Sequence, residues 1–337
     1  MPTTVDIPPG LSFPTSGPDL VAPEPEHCPG PDSKQAGKMD ACAGCPNQTI
    51  CSTAPKGPDP DLPPIQARLS QIRHKLLILS GKGGVGKSTF TTLLSQSFSL
   101  SHPYHQIGLM DIDICGPSLP KMLGVEHEKI HTSSSGLSPV YVSDNLSVMS
   151  IQFMLPNQHD AVIWRGPKKN GLIKQFLRDV DWGELDFLII DTPPGTSDEH
   201  LSVVTLLKQS GIDGAILVTT PQEVSLLDVR KEFDFCRKAG VKVLGIVENM
   251  SGFICPNCET KSEIFTATTG GGEGLARSLG VEFLGRVPLD PRIGVACDYG
   301  ESVFEAYPES QAVKALEEIV GKVRRKVVGE EEGMEEE

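Results

Sequence analysis

The 337-residue sequence predicts an α/β fold, a doubly wound and mainly parallel sheet with helices on both faces, preceded by an extended cysteine-bearing arm. Three observations carry that expectation. From Ile65 onward, short apolar runs of strand length alternate with segments of helical periodicity, the pattern of a sheet covered on both sides. One strand-to-helix transition carries a glycine-rich loop, and two later runs end in aspartates. Before residue 65 the composition is different: residues 1–64 hold 15 of the chain's 28 prolines and only short apolar pairs, too little apolar surface to offset the entropy of ordering a core. The expected organisation is therefore an arm over 1–64, an α/β domain over 65–328 and an acidic tail over 329–337.

The loop is Gly81-Lys82-Gly83-Gly84-Val85-Gly86-Lys87-Ser88-Thr89, which fits G-x-x-x-x-G-K-[ST]. The apolar run Leu76-Leu77-Ile78-Leu79 precedes it and a helical pattern from Lys87 to Leu100 follows, which is the strand–loop–helix context the motif requires. Glycines let backbone N–H groups turn inward on phosphates, and the helix start adds partial positive charge. Lys87 is expected to reach the β- and γ-phosphates of ATP, and the Ser88 hydroxyl to ligate Mg²⁺.

The other elements follow in order. Ile107-Gly108-Leu109-Met110 is a strand leading into Asp111-Ile112-Asp113-Ile114-Cys115-Gly116-Pro117-Ser118, with two acids at a strand's C-terminal end, where open α/β sheets bind ligands. Cys115 reads as a small buried residue. The stretch from Glu126 to Asn145 is polar and reads as a loop or hairpin; Leu146 to Ile151 is a short strand. Trp164-Arg165-Gly166-Pro167 opens a helix to Arg178, and Arg165 suits a phosphate, a partner chain or a surface salt bridge. Leu185 to Ile190 is a buried strand ending in Asp191-Thr192-Pro193-Pro194-Gly195. Strands at Ala215–Thr219 and 241–247 flank a helix from Val224 to Ala239. Asn249 follows the second strand, and its amide, both donor and acceptor, suits an adenine edge. A strand at 282–287, then Pro288-Leu289-Asp290, completes the base pocket. The last helix, Ser310 to Val328, carries Ala312, Val313, Leu316, Ile319 and Val320 at core spacing.

Two cysteine groups stand out among nine cysteines. Cys28, Cys42, Cys45 and Cys51 are spaced C-x13-C-x2-C-x5-C, a set of four thiolates fit for an iron–sulfur cluster or a tetrahedral zinc. Cys255-Pro256-Asn257-Cys258 offers two more, and two ligands close neither kind of site. Either Cys236 and Cys297 complete it within the chain, or a two-fold axis brings a second pair from another copy; the second is the expectation. A redox pair is disfavoured, because no thioredoxin-like strand–helix context surrounds it. An odd number of cysteines with no export signal fits a reducing, cytoplasmic setting.

A formal charge of -14 argues against general nucleic-acid binding. No run of eighteen apolar residues suggests a membrane span. Arg324-Arg325-Lys326 is followed by six glutamates in the last eight residues, which would repel anionic lipid. The expectation is no nucleic acid and no membrane partner.

Lys82 sits at the loop's second position, and K-G-G-V-G-K-S-T resembles the deviant Walker A motif of the MinD/ParA/nitrogenase-iron-protein ATPases. That resemblance implies a P-loop NTPase core in which Lys82 reaches the partner's nucleotide across a dimer. In the same family Asp113 matches the acid that helps place water and metal, and Asp191 the Walker B aspartate that holds Mg²⁺ through water. Asp191-Thr192-Pro193-Pro194-Gly195 then matches the switch that feels the γ-phosphate. Together with the four-cysteine arm and C-P-N-C, these motifs resemble the Mrp family of nucleotide-binding proteins, over Cys28 to about Ser310. The resemblance implies an ATPase scaffold that assembles labile [4Fe–4S] clusters, one in each arm and one bridging two chains, and passes them to apo-proteins in the cytosol and nucleus. It implies a homodimer, a heterotetramer with a shorter paralogous Mrp-family ATPase, or both, and downstream apo-protein targeting factors as partners. The alternatives are a MinD/ParA-like positioning ATPase, which needs a lipid helix or a basic DNA face, and a zinc-stapled ATPase without cluster transfer. A nitrogenase-type reductase is set apart by bridging cysteines far apart in sequence.

Overall fold

The computed structural model describes residues 35, 37–45, 48–53, 59–155, 166–255, 258 and 260–329. They fall into two compact units, Met1–Pro60 and Asp61–Glu337. In the first, the region expected to be extended contains a 3-10 turn at Asp40–Cys42 and helix α1 (Gln48–Thr53). The amides of Cys42, Ala43, Cys45 and Gln48 each donate to a carbonyl three residues back, at 2.8 to 3.1 Å. The 3-10 turn lies between Pro31 and Pro46 and α1 between Pro46 and Pro55, two stretches in which no proline interrupts the backbone donors.

The second unit is built on one sheet. Its elements begin with α2 (Leu62–Leu69), β1 (Ile72–Leu79), α3 (Lys87–Ser101), β2 (Ile107–Asp111) and α4 (Leu119–Met122). The polar stretch forms a small hairpin, β3 (His131–Ser133) and β4 (Gly136–Ser138), followed by β5 (Val140–Ser143) and β6 (Leu146–Ser150). Then come α5 (Gly166–Asp179), β7 (Leu185–Asp191), α6 (Asp198–Leu207), β8 (Gly214–Thr219), α7 (Glu223–Ala239) and β9 (Val243–Glu248). A short hairpin, β10 (Phe253–Ile254) and β11 (Lys261–Ser262), precedes α8 (Gly271–Leu279), β12 (Phe283–Arg286), α9 (Pro291–Tyr299), α10 (Val303–Ala306) and α11 (Gln311–Val328). Ser310 caps α11 by accepting from the Ala312 amide, so the helix starts one residue after the serine.

The main sheet has eight strands in the order β12-β9-β8-β1-β7-β2-β6-β5. Every neighbouring pair is parallel except β5 and β6, which form an edge hairpin. Successive residues of β1 feed opposite faces. Leu77 and Leu79 join a core with α2, α5, α6, α7 and α8, whereas Leu76 and Ile78 join one with α3, α4, α9, α10 and α11. With β1 between β7 and β8, the loop after it opens where the strand order reverses, the crevice in which such sheets hold ligands.

Helix α7 buries one misfit. Glu232 is 1 % exposed, and neither carboxylate oxygen finds a hydrogen bond among the described residues. Burial, assisted by Asp228, pushes its carboxyl up to about 7 from an ordinary value of 4.5. The folded form therefore holds the neutral acid, and a penalty develops as pH rises from 4.5 towards 7. Glu232→Gln is expected to raise folding stability by about 2 kcal/mol more at pH 8 than at pH 5. Urea midpoints at the two pH values check this; an equal gain at both would show that the carboxylate is not held neutral.

Candidate functional site

The loop after β1 delivers Lys87 and Ser88 into the crevice at the start of α3. Gly86 caps that helix at φ 81°, and no side chain caps it, so the first-turn amides are left for a ligand. Two glycines are sterically required. A Cβ at Gly81 would lie 2.4 Å from the backbone of Asp228 on α7, and one at Gly86 would lie 2.2 Å from Asn249 Nδ2. Lys82 is exposed, and its charge helps hold the Asp228 carboxyl below the usual range, behind the larger effect of Lys231.

The chemistry converges on Asp191, the last residue of β7. Lys87 Nζ lies 2.7 Å from its Oδ2, with the side chains only 6 % and 1 % exposed. The Ser88 hydroxyl donates to the same oxygen at 2.7 Å, and the Thr91 hydroxyl to Oδ1 at 2.6 Å. Beside it, Asp111 ends β2 with no exposed surface, receiving the Ser150 hydroxyl at 3.1 Å and the Asp113 amide at 3.0 Å. Burial, then the neighbouring Asp191, holds the Asp111 acid well above the carboxylate range. Burial also raises Asp113, against the opposing pull of Lys87. Three carboxyls thus share one ammonium. Asp191 with the Ser88 hydroxyl beside it fits Mg²⁺, which is held through one or two carboxylates, waters and substrate phosphates.

A cavity of about 190 Å³ lies on the other side of Gly86, lined by Asn249, Met250 and residues 287–290 among others. Asn249 Nδ2 donates to the Val85 carbonyl at 2.9 Å, and its backbone amide to Thr219 at 2.7 Å. One N–H of the amide is therefore committed to the loop, which leaves Oδ1 and the second N–H for a donor–acceptor edge. The Asp290 carboxylate is used up on Arg292 and Ser310.

The thiols divide into three environments. Cys42 is buried and Cys45 half-buried on one turn, while Cys28 and the Cys51 side chain lie outside the described residues. Cys255 and Cys258 close the β10–β11 hairpin: the Cys255 amide donates to Thr260 at 3.1 Å, and Cys258 is exposed with its thiol 3.3 Å from the Thr260 hydroxyl. That hydroxyl, then the Thr260 backbone, lowers the Cys258 thiol from its ordinary value. Cys236 is buried in the core on one sheet face and pushed up to about 12, whereas Cys297 packs against the core on the other face and is pushed up to about 11. The two occupy opposite sides of the sheet, which leaves no common intrachain site for them. Among the described residues, no group of three or more His, Cys, Asp or Glu is placed to hold a metal ion.

The comparisons follow this geometry. A family described as ParA: NUBPL iron-transfer P-loop NTPase matches residues 71–324. The chain belongs to this family. A nucleotide-binding protein from Archaeoglobus fulgidus, solved in complex with ADP, is 37% identical over 72% of this chain and 92% of that one, with a TM-score of 0.61. The Pyrococcus furiosus cell division ATPase MinD (24% identity, 75% and 98% coverage, TM-score 0.50) and a ParA family ATPase from Chlorobium tepidum (18%, 74% and 98%, 0.53) share the fold.

The expected loop residues, Asp191 and Asn249 are brought together around one crevice, and Asp113 faces it from the segment after β2. Cys115, expected to be buried, is exposed, because it stands in the loop beyond the end of β2 rather than in the sheet. Arg165 lies outside the described residues. Sequence reasoning missed Thr91, Ser150 and an ion pair of 2.8 Å between Lys169 and Glu199. That pair joins the first turns of α5 and α6, and Cys115 also raises the Lys169 ammonium, behind Glu199. Only the helical offset of Thr91 from Lys87 could have flagged the first of these.

The buried lysine gives a direct test. Lys87→Ala should weaken ATP affinity by about 100-fold, roughly 3 kcal/mol, because phosphate charge then lacks its charged donor. Titration calorimetry measures the affinity, and thermal unfolding of the same sample separates a binding loss from a folding loss. Unchanged affinity in a folded variant would remove Lys87 from the phosphate site.

Proposed function

We propose that this chain is a MgATP-hydrolysing scaffold that takes labile [4Fe–4S] clusters as its cargo and hands them to apo-proteins, acting as a dimer in the cytoplasm. The observation that carries the reading is the pair of thiols at Cys255 and Cys258. They stand accessible at a hairpin tip beside a nucleotide crevice, in a chain whose family is described by iron transfer.

Lys87 leaves Asp191 to neutralise the β- and γ-phosphates, and the free first-turn amides of α3 complete the phosphate cradle. Ser88 and Asp191 would hold Mg²⁺, which supplies charge neutralisation on the phosphate oxygens. Asp113 accepts a hydrogen bond from the attacking water and orients it; its acidity is lowered by burial, and further by Asp191, which suits it to take up a proton. Lys82, exposed at the mouth of the loop, extends to the nucleotide of a second copy. Asn249 Oδ1 selects adenine. The ADP bound by the Archaeoglobus fulgidus relative supports the nucleotide assignment.

Two thiolates per chain leave a cluster incomplete, so two copies related by a two-fold axis supply four. A cluster held across an interface is released when the copies part, which suits cargo. Cys42 and Cys45 share a turn that fits one half of a four-thiolate resident site with Cys28 and Cys51. The partner is a second copy, a shorter paralogous Mrp-family ATPase, or both, and apo-protein targeting factors act downstream.

The count is testable. The full chain, reconstituted anaerobically, should carry three clusters per dimer, and Cys255→Ala should lose about a third of the iron while sparing the arm's spectrum. Zinc in place of iron, or full iron retention by Cys255→Ala, would overturn the scaffold reading.

A further inference from the structure

The base cavity and the thiol hairpin are physically one piece. Two backbone segments leave the cavity side by side, 249–255 and 287–290, and both contribute to its lining. They are stitched together at each step: the Ser251 amide donates to the Val287 carbonyl at 2.9 Å, the Leu289 amide to Gly252 at 2.8 Å, and Phe253 forms a parallel bridge with Leu289. Phe253 and Ile254 then pair with Ser262 and Lys261, and Cys255 is bonded to Thr260. Asn249, whose side chain grips the phosphate loop at Val85, is thus six residues from Cys255, a reach of about 20 Å at most.

At the bend between them stands Met250, with φ 54°. Among the described residues it is the one non-glycine with positive φ. An unbranched side chain in the left-handed region costs on the order of 1 kcal/mol and persists only where its neighbours over-determine it. Here both neighbours are pinned: Asn249 donates to Val85 and Thr219, and Ser251 to Val287 and, through its hydroxyl, to the buried Glu248 at 2.6 Å. The Met250 side chain lines the base cavity, and its Cε approaches to 3.7 Å of where a Cβ on Gly86 would stand. A base entering the cavity therefore presses on the bend itself.

We propose that the backbone from Asn249 to Cys255 is the element by which adenine occupancy sets the accessibility of Cys255 and Cys258, with Met250 as the positioning residue at its bend. This deepens the proposed function and rests on its assignment of the adenine cavity and the thiol pair. The coupling is reciprocal: whatever factor the nucleotide imposes on ligation at the thiols, ligation at the thiols imposes on nucleotide affinity. The base, rather than the phosphates, is the trigger, because the bend at Met250 lines the cavity itself, whereas the phosphate loop meets this segment only through the Asn249–Val85 bond.

The test uses the full chain, reduced and metal-free, alkylated with iodoacetamide and read cysteine by cysteine by mass spectrometry. Buried Cys236 serves as the internal reference. Saturating MgAMP-PNP should change the alkylation rate of Cys255 by about 3-fold or more, whereas magnesium triphosphate, which fills the loop without a base, should leave it within about 1.5-fold. Met250→Gly, which removes both the side chain and the strain, should lose the AMP-PNP response when saturated with the nucleotide. Equal Cys255 rates with and without bound AMP-PNP, an equal response to triphosphate, or a full response in Met250→Gly would each overturn the coupling while leaving the nucleotide site standing. Absence of AMP-PNP binding by calorimetry would overturn the nucleotide reading, and the coupling with it.

Discussion

The structure depends on one buried contact, the ammonium of Lys87 against the carboxylate of Asp191. A charge taken that far out of water costs several kcal/mol unless a partner and hydrogen bonds answer it, and here both ions are almost fully enclosed. The sheet supplies the answer. Parallel register aligns Ile78 of β1 with Asp191 of β7, and Asp191 with Asp111 of β2, so three neighbouring strand ends place their functional groups at one level. Ser88 and Thr91 approach from the first two turns of α3 and donate to its two oxygens. The contact holds the helix start, the loop and two strand ends to one geometry. It is also provisional, since a triphosphate offers Lys87 more negative charge than Asp191 does.

The second half of the crevice comes from β9 and the segment after β12, on the other side of β8 from β1. Asn249 ties the halves together through Val85, so the glycine-rich loop also fixes the wall of the neighbouring cavity. Continuing that wall outward leads to Cys255 and Cys258. A short hairpin thus places two thiols at one end of the cavity and leaves the main sheet unchanged.

Much of this was legible in the sequence because it rests on local pattern. The phosphate loop, the acids ending β2 and β7, and the apolar runs of the central strands read directly, since parallel strands buried on both faces leave little room for polar residues. Asn249 was legible as a candidate but its bond to Val85 was not, because the two are 164 positions apart and only the sheet order joins them. Glu232 is not singled out by the sequence. Its burial is imposed by the packing of α7, which no local pattern encodes. Cys115 misled for the opposite reason: next to an apolar run it looked like core, yet it falls in the loop beyond the strand end. Of the edge hairpin, β6 was legible as a short strand, whereas β5 fell in a polar stretch read only as a loop or hairpin, and Cys28 of the first cysteine group lies outside the described residues.

The central claim is that three carboxyls and one lysine form a site that needs a divalent cation before it accepts a triphosphate. The measurement that tests it most directly is calorimetric titration of ATP into the full chain with excess Mg²⁺ and again in EDTA. Among the described residues Lys87 is the one ammonium paired with Asp191, so ATP without a cation leaves most of its phosphate charge uncompensated beside that carboxylate, and affinity should fall by at least about 10-fold in EDTA. Equal or tighter binding of ATP without the cation would contradict the account.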